Sequence, residues 1–243
     1  MSARKSLKSW VLAAAVLTLG FSATAACSAE EQAGGPVAPS PGPLANGGGA
    51  APVQPPPTAE GPGLTAPGIH LAAVPRGDGS FDVTEDVVLR SEVALIRLRL
   101  PKSGEQLVGM MRETKPVATS LKVTADDEPV PMETTQLAAT RDLPLMVAAT
   151  KLRLVYRLSG SVVRSLPSEA GRASAAISPL TADVDGTLPT NYQIAGSGLL
   201  NVVCPEMTET RCAVGEPPGL GIQQGIPAEQ SLAVLQLNLP MQP

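Results

Sequence analysis

Aromatic residues are nearly missing from this 243-residue chain: they make up 2% of it, as one Trp, two Tyr and two Phe. Surfaces that hold sugars or single-stranded nucleic acid usually rest on stacked aromatic side chains. The composition therefore argues against both classes. Histidine is scarcer still, since His70 stands alone. A Ser–His–Asp site would need a serine and an acid brought to that one residue. No G-x-S-x-G elbow is present, and Gly196-Ser197-Gly198 reads as a small-residue turn. H-E-x-x-H, a phosphate-binding loop and a dinucleotide fingerprint are absent too. His70 is thus expected to be an ordinary strand-edge residue and not a general base. Positive charge is in deficit, with 18 Lys and Arg against 22 Asp and Glu and a formal net charge of −4. That leaves neither the electrostatic footprint of a nucleic-acid binder nor the polybasic patch of a protein adsorbed on a membrane surface. The longest apolar stretch at the N-terminal end, residues 10–21, is 12 residues long. A spanning helix needs about 20.

What that stretch does match is a signal sequence. Arg4, Lys5 and Lys8 precede it as a positive n-region, and the small residues Ala23-Thr24-Ala25-Ala26 follow it, just before Cys27. Here the chain resembles bacterial lipoproteins: Thr24-Ala25-Ala26-Cys27 fits the permissive form of their lipobox. The resemblance covers residues 1–27 only, and Thr24 stands where that family usually has Leu. It implies that Cys27 becomes the first mature residue and carries lipid, placing the protein on the extracytoplasmic face of a cell membrane. Ordinary cleavage after Ala25 and secretion is the competing expectation. Loss of residues 1–26 removes three positive charges and takes the formal net charge from −4 to −7. Trp10 and Phe21 leave as well, so Phe81, Tyr156 and Tyr192 are the aromatic residues of the mature chain, the two tyrosines forming at most a minimal stacking pair.

Assigning Cys27 to lipid also resolves an odd cysteine count. Cys204 and Cys212 remain, and an exported compartment favours a disulfide between them. A metal pair would lack further ligands, and the spacing is not the C-x-x-C of a redox motif. From Ser28 to Pro67, ten Pro, eight Gly and eight Ala fill 40 positions. Such a segment cannot bury a core, so it is expected to be a disordered tether. As a flexible coil it would span about 35 Å; as polyproline II it would approach about 120 Å. The expected organisation is a signal peptide over 1–26, the lipidated Cys27 and linker over 27–67, and a folded domain over 68–243.

In that last region the pattern becomes short apolar runs broken by turns. Leu152, Leu154, Tyr156 and Leu158 alternate with Lys151, Arg153 and Arg157. This period of two marks a half-buried strand. Ile96, Leu98 and Leu100 alternate with Arg97 and Arg99, and Leu235, Leu237 and Leu239 with Gln236 and Asn238. Weaker strands are read at 69–74, 81–89, 119–125, 173–178, 192–195 and 199–204, with one helical turn within 104–113. Frequent turn signals and the lack of a long helical period point to an all-β fold, an antiparallel immunoglobulin-like β-sandwich. Two packed β subdomains dividing near residues 140–150 fit the length as well. The echo between 93–101 and 232–240 fits either duplication or two strands solving the same packing problem.

Secondary site candidates remain. Asp183 and Asp185 carry the hard oxygen ligands that calcium prefers, although they match no full calcium loop. Arg97, Arg99, Lys151, Arg153 and Arg157 would form a basic stripe suited to an acidic partner if their strands are neighbours. Met110, Met111, Met132, Met146 and Met207 raise copper, but core or loop filling explains them better. No cofactor is expected. The reading is a non-catalytic, lipid-anchored envelope protein whose β-sandwich binds or spaces an envelope-protein or cell-wall partner. The alternatives are an envelope enzyme or accessory without a recognisable motif, and an extracytoplasmic carrier of a small ligand or metal.

Overall fold

The computed structural model describes residues 60–107, 109–165, 171–196 and 198–239. The signal segment, Cys27 and the tether up to residue 59 lie outside the described residues.

Two-residue alternation in the sequence becomes two packed sheets. The larger has seven strands in the order β12-β8-β1-β2-β5-β3-β4. Its central members are β1 (Gly68–Pro75), β2 (Phe81–Leu98), β5 (Arg141–Ser159) and β3 (Val117–Ala125), with β4 (Glu128–Pro129) at one edge and β8 (Pro189–Ile194) and β12 (Ile226–Pro227) at the other. The smaller sheet orders β6 (Val162–Arg164), β7 (Arg172–Ile177), β13 (Ala233–Asn238) and β9 (Leu199–Val203) as β6-β7-β13-β9. Phe81, Val83, Val87, Leu152, Leu154 and Leu158 from the first sheet and Ala175, Ile177, Val202, Leu235 and Leu237 from the second share one buried cluster. The expected all-β sandwich is what forms. One departure is the pairing of β1 with β8, which runs parallel.

β2 and β5 are longer than the alternation suggested. The runs read separately at 81–89 and near 96–100 belong to one 18-residue strand, and β5 extends to 19 residues. These strands bend. Glu85 accepts the Leu180 amide hydrogen while the Arg99 amide donates to the Leu180 carbonyl at 2.8 Å. On a straight strand Glu85 and Arg99, the residue just after β2, would stand roughly 45 Å apart. The bend falls where the β2–β5 register slips, between Val88 and Val93 and again before Leu95, as a bulge allows. It returns Ile96, Leu98, Leu143 and Leu145 to the same apolar cluster as Val83 and Leu154. β5 also carries the chain through residues 140–150 without a break.

The helical turn expected within 104–113 is realised as two 3-10 segments, Gly104–Gln106 and Gly109–Glu113. The strand parts of the two echoing runs, 93–98 in β2 and 233–238 in β13, lie in different sheets, where Ile96, Leu98, Leu235 and Leu237 all face the core. The linker boundary at 67 needs correction. Residues 61–66 form a tight turn in which the amides of Leu64, Thr65 and Ala66 all reach the Gly61 carbonyl. Gly63 lies so close to β1 and β2 that a β-carbon there would stand 2.2 Å from the His70 nitrogen and 2.6 Å from the Asp86 oxygen. At φ +82° the backbone also needs glycine. The last residues of the Pro/Gly-rich segment are therefore part of the folded unit.

Candidate functional site

The outer face of the large sheet holds most of the charged candidates, and the β2–β5 register decides their fate. Asp82 stands directly opposite Arg157, Asp86 opposite Arg153 and Asp142 opposite Arg97. Each becomes an ion pair: Arg157 to Asp82 at 3.0 Å, Arg153 to Asp86 at 3.4 Å and Arg97 to Asp142 at 2.9 Å. Arg76 adds a second contact to Asp82 at 2.7 Å. The Arg76 guanidinium, with Arg157, holds the Asp82 carboxyl below the usual carboxylate range. Asp86 shifts the other way, because partial burial outweighs the charges of Arg153 and His70. The basic stripe is thus a ladder of paired charges, worth little per rung in water. Lys151 differs, having no ion-pair partner among the described residues. With Arg153, Asp86 and Asp127 it lines a shallow depression of about 220 Å³ of mixed charge.

Asp183 and Asp185 do not converge on a cation position. Asp183 pairs with Arg99 at 3.1 Å and Asp185 with Arg90 at 2.7 Å. The other Asp185 oxygen accepts the Thr187 amide at 3.0 Å and its hydroxyl at 2.7 Å, which lowers the carboxyl's pKa. Among the described residues no three His, Cys, Asp or Glu side chains gather as a metal site would require. His70 lies on β1 opposite Asp86, half-buried on the sheet's outer side. The two tyrosines are not a stacking platform. Tyr156 and Tyr192 are buried, their hydroxyls donating to Glu85 and to the Ser231 carbonyl.

Glu85 is the functional-looking residue that the sequence reading passed over. It is wholly buried between the sheets and accepts four hydrogen bonds. The donors are the Leu180 amide at 2.8 Å, the Thr181 amide at 3.0 Å, the Thr181 hydroxyl and the Tyr156 hydroxyl at 3.4 Å. Burial pushes its carboxyl up, and the four donors only partly oppose this. Burial also pushes the Tyr156 phenol well up, helped by the neighbouring carboxyl. A signal was present in the sequence: Glu85 has the same strand parity as the inward-facing Phe81, Val83, Val87 and Leu89. Together Glu85, Arg90 and Arg99, all carried by β2 or its first following residue, strap down the 178–188 connection.

Cys204 and Cys212 form a disulfide with Cα atoms 5.8 Å apart. It staples the end of β9 to the short ribbon of β10 (Ala213–Val214) and β11 (Gly221–Ile222).

One surface feature has no counterpart in the charged ladder. Met146 is 87% exposed, Val147 79% and Leu95 54%. Met146 and Val147 flank a groove of about 360 Å³ whose opposite wall is Pro129, Val130 and Pro131, with Asp126 and Glu128 at the rim. No long apolar helix suited to crossing a membrane occurs among the described residues.

No protein-family model and no curated protein matches the chain. Among solved structures it is similar to an aminopeptidase N family protein from Idiomarina loihiensis, at 11% identity and TM-score 0.41. It is also similar to an M1 zinc metallopeptidase from Deinococcus radiodurans, at 18% identity and TM-score 0.30. Each likeness covers 70% of this chain but only 29% and 40% of those proteins. At such low scores neither carries weight for the chemistry of this chain.

Proposed function

We propose that the chain is a lipid-anchored cell-envelope protein whose β-sandwich serves as a non-catalytic binding module outside the membrane. The observation that carries the binding role is the exposed apolar strip of Leu95, Met146 and Val147 on a sheet whose arginine stripe is paired with aspartates. Met146 and Val147 line one apolar groove, and an exposed apolar groove rimmed by polar residues marks a surface that meets a partner. The anchoring role rests on the Thr24-Ala25-Ala26-Cys27 motif and the Pro/Gly/Ala-rich stretch behind it. Two or more acyl chains hold a protein at a membrane, whereas one does so only marginally. The test is metabolic labelling with palmitate of the wild type and Cys27→Ala. Label in the wild type and none in the variant supports the anchor; equal label in both removes it.

A further inference from the structure

The groove beside Met146 combines three properties that occur together nowhere else among the residues described above. The first is backbone that falls outside the regular ladder register. In the β2–β5 ladder, Leu95 pairs with Pro144 and Val93 with Ala149, so one residue of β2 faces the whole of 145–148. On the other side, β3 pairs with β5 only from Leu152 onward, opposite Ala125. Residues 145–148 are therefore passed over by the regular register of both ladders, and a bulge of this kind disrupts the ladder locally. The second property is the apolar wall, with Met146 and Val147 on one side and Pro129, Val130 and Pro131 on the other. The third is charge. Glu128 lines the groove, is exposed and has no ion-pair partner among the described residues, whereas the neighbouring Asp127 lines the depression beside Lys151. Asp126 is committed elsewhere, accepting the Lys151 amide at 2.8 Å.

We propose that this groove docks an extended segment of another protein, one that alternates apolar with basic side chains and adds as a short strand along 145–148. Strand addition draws affinity from main-chain hydrogen bonds and specificity from alternate side chains. The stretch 145–148 is roughly 13 Å long at about 3.3 Å per residue, room for a strand of about four residues. Apolar side chains of the guest would cover Met146 and Val147 while a lysine or arginine meets Glu128. A second copy of this chain is the poorer occupant, because its net charge of −4 rises to −7 once the signal segment leaves, and like charges repel. An anionic bilayer surface would meet the same carboxylate. This proposal rests on the binding role above and names the partner's chemistry.

The test uses the soluble chain from residue 28 onward beside the full-length chain, with a fluorescent heptapeptide alternating lysine and valine as probe. Anisotropy should rise with the wild type, and Val147→Asp should weaken binding by roughly tenfold or more, as loss of a central apolar anchor does. Glu128→Lys should weaken it about threefold or more, most clearly at low salt. Met146→Ser provides a milder check if Val147→Asp lowers the melting temperature. A glutamate–valine peptide bound equally well would overturn the proposal, as would wild-type affinity in both Val147→Asp and Met146→Ser, or no binding of the lysine peptide at millimolar concentration. Self-association lost in Val147→Asp would assign the groove to a second copy. Binding to phosphatidylcholine or phosphatidylglycerol vesicles by the unlipidated chain, lost in Val147→Asp, would assign it to membrane. The peptide result is independent of Cys27, so a failed anchor and a failed groove can be told apart.

Discussion

The two faces of the β2–β5 pair use the same chemistry with opposite weight. Inside, Glu85 sits among four donors with no surface exposed to solvent; outside, Asp82 sits between Arg76 and Arg157 with about half of each side chain in solvent. Three residues apart on one strand, the two carboxyls shift in opposite directions, Glu85 upward through burial and Asp82 downward through its arginines. Environment, more than partner count, decides what a carboxylate does for the fold. A buried polar group is costly unless matched, while an exposed ion pair gains little beyond what water already offers.

The largest break in that comparison should come at Glu85. Glu85→Ala strands the Leu180 and Thr181 amides and the Tyr156 hydroxyl in a dry core, and we expect a loss of about 3–5 kcal/mol in denaturant unfolding. Glu85→Gln sharpens the point through pH. A carboxyl whose pKa is raised on folding stabilises the fold fully below its unfolded value and loses that contribution as pH rises through the folded value. The advantage of wild type over Glu85→Gln should therefore be greatest near pH 4 and shrink toward pH 7. An advantage that grows with pH would mean that the ionised form is the one the donors hold.

Next in size is the disulfide. Its short loop corresponds to about 2.5 kcal/mol in the chain-entropy picture. The pair Cys204→Ala and Cys212→Ala should lose roughly that amount, measured as the unfolding free energy from a urea titration with its lowered midpoint. An unchanged midpoint would place the stability of this end of the small sheet in its apolar contacts, such as Val202 and Leu235.

Alternation made much of this legible. Leu152, Leu154 and Leu158 face inward as their period requires, and Arg153 and Arg157 face outward. The same parity puts Glu85 inside and contradicts a role for Tyr156 as an exposed platform. Both were readable, but a glutamate in an apolar register looks like a broken pattern unless its partners are known. Those partners, Leu180 and Thr181, lie in a distant loop that no local signal ties to β2. The fate of the basic stripe was hidden for a similar reason. Arg97, Arg153 and Arg157 advertise positive charge, but their aspartates arrive through cross-strand register, which depends on bulges and long connections rather than on composition. The order of Gly61–Ala66 was masked by a Pro/Gly-rich context, although a tight turn wants those same residues.

The smallest effect belongs to the outer ladder. Asp82→Asn removes an acceptor shared by Arg76 and Arg157, but water replaces it readily, so the cost should stay below about 1 kcal/mol at neutral pH and fall further in high salt. The sign with pH is opposite to that of Glu85. A carboxyl whose pKa is lowered on folding contributes above its unfolded value and loses that contribution as pH falls through the folded one. Wild type and Asp82→Asn should therefore converge in acid, while wild type and Glu85→Gln diverge there. A double-mutant cycle of Asp82→Asn with Arg157→Gln should give a coupling of about 0.3–0.5 kcal/mol. A coupling of 2 kcal/mol or more would show that the pair is shielded from water despite its exposure. The contrast between the two faces would then reflect hydrogen-bond number instead of burial.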